Sequence, residues 1–148
     1  MKVFGIDIST WQKGYPYDAA NSEGVKFAIL RAGFSQTKDN QFETHYANAK
    51  RLGWGVGAYW YLYATSVSAA QAEARAFLNV IKGKQFDYPV YLDIEDRSLR
   101  SLGKSTLDSI VKAFGEVIES AGYYFGVYTN LDWYRNVISG AELNKKYD

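Results

Sequence analysis

The chain has 148 residues, with 17 Lys and Arg against 16 Asp and Glu, one histidine and no cysteine. That length fits one domain able to bury roughly 70% of its unfolded surface, and the lack of thiols excludes a disulfide framework, a thiolate nucleophile and cysteine-ligated zinc. Lys and Arg are scattered through a near-neutral chain, which excludes a nucleic-acid stripe and a polybasic membrane patch; no window approaches 18 apolar residues, and MKVFGIDIST reaches Asp7 too early for a signal peptide.

In chain order, KVFGIDIS (2–9) is a first strand-length apolar run, with Asp7 near its end and Trp11 just beyond. A short helical signal over Tyr17 to Ser22 precedes VKFAILRAG (25–33), a second strand carrying Arg31. NQFETHYANAKRLG (40–53) sets Phe42, Tyr46, Ala49 and Leu52 at helical spacing, ends on a C-cap glycine, Gly53, and holds His45 in a position that reads as solvated or half-buried. VGAYWYLYA (56–64) is a third strand, with Tyr59, Tyr61 and Tyr63 on one face and Trp60 and Leu62 on the other. The helix over 66–83 aligns Ala69, Ala72, Ala76, Phe77, Val80 and Ile81 and closes on Gly83. YPVYLDIE (88–95) is the fourth strand, and STLDSIVKAFGEVIESAG (105–122) a helix with Ser105 as its expected N-cap. YYFGVYTN (123–130) is the fifth strand, followed by a weaker helical signal over Leu131 to Ile138.

Strand and helix alternate, which predicts an α/β fold with a parallel sheet, right-handed crossovers and helices outside. Such sheets carry their working residues at the carboxyl ends of the strands. The places to look are therefore Asp7, Arg31, Tyr61, Asp93, Glu95 and Tyr128.

Asp93 and Glu95 are two apart, so a strand projects both to one side, and Asp7 ends the first strand in the equivalent layer. One strand-end Asp commonly caps the following loop. A pair in a partly desolvated mouth repels instead and splits its pKa values, which suits an acid working with a partner. With a single histidine, a zincin motif is excluded and a Ser-His-Asp triad disfavoured. Mg²⁺ held by Asp7, Asp93 and Glu95 would need a loop to hold a phosphate, and SLGKST lacks the leading glycine of a P-loop. Carboxylates ringed by Tyr and Trp fit glycoside hydrolysis better, and the spacing suits a substrate-assisted route while leaving the stereochemistry open. Tyr61 faces the substrate in this reading, Tyr59 and Tyr63 fill the interior, and Trp11 is a sugar platform or a lid.

GIDIS-W at 5–11, FAILRAG at 27–33, the run from Phe42 through GWGVGAYWY to Tyr61, PVYLDIED at 89–96 and GVYTN at 126–130 together resemble the glycoside hydrolase family 25 lysozymes. Those are N-acetylmuramidases of phage endolysins and bacterial autolysins. The resemblance implies an irregular (β/α) barrel, no cofactor and no metal. It makes Glu95 the general acid, with a pKa raised by its carboxylate neighbours, Asp93 the group that positions the substrate acetamide, and Asp7 a supporting carboxylate. Tyr61, Tyr128, Tyr59, Arg31 and Trp11 are the implied substrate-binding residues. The implied reaction is retaining cleavage of the β-1,4 bond between N-acetylmuramic acid and N-acetylglucosamine in peptidoglycan glycan strands. No nucleic acid or membrane partner enters this reading, and the protein is expected to be made in the host cytoplasm and to act on the cell wall.

The family adds strands after the one matching GVYTN, whereas this sequence reads SGAELNKKYD there. The expectation is a single muramidase catalytic domain over 1–148, cut short to about five parallel strands, with open edges prone to self-association. A remnant that binds glycan without turnover is the rival. A flavodoxin-like phosphate binder is disfavoured by the bulky STWQKGYPYD after the first strand.

Overall fold

The computed structural model describes residues 1–148. In chain order its strands are β1 (Phe4–Ile8), β2 (Val25–Phe34), β3 (Thr37–Lys38), β4 (Gly55–Tyr61), β5 (Val90–Asp93) and β6 (Phe125–Tyr128). The helices are α1 (Tyr17–Ser22), α2 (Phe42–Arg51), α3 (Val67–Ile81), α4 (Lys104–Ser120) and α5 (Gly140–Leu143), with 3₁₀ turns at Thr10–Gln12 and Arg97–Leu102 and a π-helical turn at Trp133–Val137. Five strands run parallel in the order β1-β2-β4-β5-β6, and β3 folds back antiparallel on the end of β2. Two residues are too few to show a period, which is why β3 leaves no trace in the sequence pattern. No helix is long and apolar enough to cross a membrane.

The two faces of the sheet are built differently. Ala28, Leu30, Val56, Ala58, Trp60, Val90 and Leu92 point outward and are buried beneath the helices, where Phe77 of α3 and Phe114 of α4 meet them. On the concave face, rings lie over glycines. A Cβ at Gly5 would sit 2.1 Å from the Phe27 ring, one at Gly55 2.8 Å from Tyr88, and one at Gly126 2.6 Å from Tyr91. Strand glycines usually mark such close approaches, and here they let the rings sink to the level of the backbone. Gly53, Gly83 and Gly122 end α2, α3 and α4 at φ 70, 75 and 89, as the C-cap readings require.

Three local expectations need correction. Helix α4 begins at Lys104 after Gly103 with no side-chain cap, so Ser105 is not its N-cap; Asp108 instead accepts a 2.9 Å bond from the Ser139 amide. The buried face of α3 is Ala70, Glu73, Ala74, Phe77 and Ile81; Phe77 and Ile81 of the expected stripe lie on it, while Ala69, Ala72, Ala76 and Val80 flank it half-buried. Glu73 turns inward because its carboxylate accepts bonds from Trp60 Nε1 at 3.1 Å and the Tyr63 amide at 3.3 Å. His45 is completely buried on α2, where Nε2–H donates to the Ser9 carbonyl at 2.8 Å and Nδ1 accepts from the Tyr17 hydroxyl.

β1 and β6 are the edges of the sheet. At β1, Val3 and Phe4 are exposed, while at β6 the Val127 amide donates to the Asp148 carbonyl at 2.7 Å.

Candidate active site

Strand register assembles the site. Asp7 lies level with Ile29 and Gly57; Arg31, Tyr59, Tyr91 and Gly126 form the next row; Phe34, Tyr61, Asp93 and Tyr128 form the row at the carboxyl end. The concave face and these strand ends enclose a cavity of about 630 Å³. Asp7, Trp11, Arg31, Tyr59, Tyr61, Asp93, Glu95 and Tyr128 all line it, so every residue singled out from the sequence reaches one space. Ser9, Phe27, Ile29 and Tyr91 also line it. Period-2 counting back from Asp93 and Arg31 could have found Tyr91, Ile29 and Phe27.

Asp93, the last residue of β5, is 6% exposed, and its Oδ1 is buried with no hydrogen-bond partner. Burial above all, then the charges of Glu95 and Asp7, push its carboxyl up to about 8 against the opposing pull of Arg31. Of the two acids, Asp93 is the one that burial singles out. The reason is placement: β5 stops at Asp93, and Glu95 lies beyond it on a half-buried turn.

That turn is fixed from both sides. The Ile94 amide donates to the Tyr128 carbonyl at 3.0 Å, and the Thr129 hydroxyl donates to the Ile94 carbonyl. Asp96 caps the next 3₁₀ turn by accepting from the Ser98 amide at 3.0 Å and also accepts from the Tyr61 hydroxyl at 3.1 Å. Glu95 Oε2 accepts a 3.2 Å bond from the Asn130 side-chain amide. Neither Asp96 nor Asn130 carries a periodic signal, because both act from loops.

Burial first, and Asp96 second, raise Tyr61; burial raises Tyr59 against the pull of Arg31. Both phenols stay protonated donors. Tyr128, more than half exposed, is raised by burial and then by Glu95. Tyr63 does not fill the interior: it is 43% exposed and leans on Phe34 and Tyr61.

The rim after β1 hangs from two buried groups. Asp39, unremarked in the sequence, accepts from Arg31 Nε at 2.8 Å, the Thr10 amide at 2.9 Å and the Gln41 amide at 2.8 Å. His45 holds the Ser9 carbonyl, and Ser9 and Gln12 close a reciprocal capping box around Trp11. Trp11 itself is 81% exposed at the cavity rim. No group of three or more His, Cys, Asp or Glu side chains is placed to hold a metal ion.

Comparison with known proteins adds to this geometry. YegX of Escherichia coli strain K12 is 30% identical over 148 aligned residues, which cover 90% of this chain and 53% of YegX. The N,O-diacetylmuramidase of Arthroderma benhamiae is 27% identical over 143 residues, 90% of this chain and 60% of that protein. The crystal structure of the CTP1L endolysin superposes with a TM-score of 0.80 at 25% identity, covering 92% of this chain and 48% of the endolysin. The chain spans about half the length of these relatives. The family model described as "Glycosyl hydrolases family 25" matches residues 6–148, and the chain belongs to that family.

Proposed function

We propose that residues 1–148 act as one domain that hydrolyses the β-1,4 bond between N-acetylmuramic acid and N-acetylglucosamine in the peptidoglycan of the bacterial cell wall. The route is substrate-assisted and retaining. Glu95 protonates the glycosidic oxygen as the bond to C1 breaks, and the substrate's own acetamido oxygen attacks C1 to give an oxazolinium ion. Water then adds at C1 and returns a proton to Glu95. Asp93 accepts the acetamido N–H and balances the positive charge of the ion. Asp7 supports it electrostatically, Tyr59, Tyr61 and Arg31 line the sugar's berth, and Trp11 and Tyr128 offer ring faces at the rim.

The observation that carries this reading is the buried, unpartnered Oδ1 of Asp93 beside Glu95 at the mouth of the cavity. Before substrate arrives, burial favours the protonated form of Asp93. An acetamido N–H at Oδ1 favours the ionised Asp93, the form that balances the oxazolinium charge. Membership of the family and the name of the diacetylmuramidase relative support the bond assigned here.

The test is turbidity clearance of purified peptidoglycan by the wild-type chain and Glu95→Gln, with the released ends assayed for reducing N-acetylmuramic acid. Wild-type clearance with a silent variant that still binds glycan is the expected result. Equal clearance by both would remove Glu95 from the chemistry. Binding without clearance by both would point to the rival, a glycan-binding module.

A further inference from the structure

We infer that Asn130 is a positioning residue for Glu95, a role that rests on Glu95 being the acid. Its amide is held by its surroundings in one orientation. Oδ1 accepts from the Trp133 amide at 3.1 Å, so that side must be oxygen, and Nδ2 faces Glu95 Oε2 at 3.2 Å, so that side must be the donor. The Asn130 carbonyl also accepts from the Tyr134 amide at 3.0 Å. Asn130 therefore anchors the start of the π-helical turn Trp133–Val137 while reaching back across the mouth. Single π turns interrupt helices most often beside functional groups, and this one fixes the rung on which Asn130 stands.

Glu95 otherwise has little to hold it. It lies beyond the last residue of β5, half-buried, and no other hydrogen bond of the protein reaches its carboxylate. The backbone on either side is pinned by Tyr128, Thr129 and Asp96, but χ rotation of a glutamate survives such pinning. One donor on Oε2 leaves Oε1 as the oxygen free to carry the proton toward the glycosidic oxygen. The same bond favours the carboxylate once that proton has gone, which readies Glu95 to take one back from water. The titratable groups that feel Glu95 are Asp93 on β5 and Tyr128 on β6; Asp7 and Arg31 act on Asp93, and Asp96 is next in the chain. Asp93, Asp7 and Asp96 are acids, and among the protein's donors the Asn130 amide is the one hydrogen-bonded to Glu95.

Asn130→Asp isolates the role. It keeps an oxygen for the Trp133 amide, removes the donor and sets a like charge beside Glu95. The expected outcome is a kcat lower by about tenfold with KM nearly unchanged. The alkaline limb of the rate profile should move up by roughly half to one pH unit, a modest figure because Asn130 is exposed. A purely structural part would lower the melting temperature and leave the limb where it is. Wild-type kcat and an unmoved limb in Asn130→Asp would overturn the assignment.

A second measurement does not depend on turnover. The side-chain NH₂ resonances of Asn130 should follow pH in the wild-type protein and stop doing so in Glu95→Gln. If they titrate alike in both proteins, Asn130 does not sense Glu95 and the inference is wrong. If they separate as expected but the wild-type chain is inactive, the tether stands and the proposed function fails.

Discussion

Asp93→Asn tests the electrostatics of the site through stability alone. In the unfolded chain the carboxyl titrates near 3.8, whereas burial beside Glu95 and Asp7 pushes it to about 8 in the folded protein. Between these values the folded state keeps a proton that the unfolded state has released, so stability falls as pH rises through the window and is complete only below it. About four pH units at about 1.4 kcal/mol each set a ceiling of roughly 6 kcal/mol. Water entering the open mouth lowers that to a few kcal/mol, still a large share of the roughly 5–15 kcal/mol that holds a domain together. Asparagine has the same shape and no charge to bury. Urea unfolding followed by tryptophan fluorescence should give wild type and variant similar midpoints at pH 4, with the variant pulling ahead steadily toward pH 8.5 at unchanged m-value. Glu73, which titrates in an overlapping range, cancels in the difference because Asp93→Asn leaves it in place. A difference between the two proteins that stays constant from pH 4 to 8.5 would refute the argument, since Asp93 would then titrate alike in folded and unfolded chains. The same substitution should abolish turnover, because Asn cannot balance an oxazolinium charge.

Two further outcomes follow from other parts of the molecule. Burial raises Glu73 from 4.5 to about 7, so it too removes stability as pH climbs through that range, and Glu73→Gln should flatten the fall in wild-type melting temperature between pH 5 and 7; an unchanged slope would mean that Glu73 is ionised throughout. Gly5→Ala places a methyl 2.1 Å from the Phe27 ring and should cost about 1–3 kcal/mol in urea unfolding. Adding Phe27→Leu should recover part of that loss, and strict additivity of the two changes would show that the ring and the glycine do not meet.

The five parallel strands and the mouth were readable because both rest on local periodicities. Alternation in FAILRAG, GAYWY and VYLD places Arg31, Tyr59, Tyr61 and Asp93 on the concave face, and the positive-φ glycines 53, 83 and 122 mark where α2, α3 and α4 stop. Periodicity says nothing about a polar group whose partner is far along the chain. Asp39 joins Arg31 to Thr10, His45 joins Ser9 to Tyr17, and Glu73 reaches Trp60 and Tyr63. From the sequence each of these three looks like a surface residue, since the cost of burying it is visible and the compensation is not. Glu73 takes a place on the buried face of α3 that an apolar count would not give it. Residue spacing shows that two acids share a side, but only the end of β5 shows that Asp93 is the buried one.

These misread groups have a common effect, and it explains where the molecule gives up stability. The amino-terminal half of the concave face is closed by Phe27, Tyr88 and Tyr91 over glycines, an apolar arrangement with no charge to bury. Toward the carboxyl ends of the strands the packing turns polar, and each buried polar group ties down a segment that has no regular structure of its own. Asp39 and His45 hold residues 9 and 10 below Trp11, Glu73 holds the exit of β4 beyond Tyr61, and the half-buried Asp96 holds the turn that carries Glu95. Apolar side chains of similar volume would fill the same space but leave buried donors without acceptors, at about 1–3 kcal/mol each. They could not accept a backbone amide, and the loops at the mouth would lose their register against the strands. The buried polar groups therefore do locally what the sheet does globally: they hold side chains in place where hydrogen-bonded strands have ended, which is where an open cavity needs them.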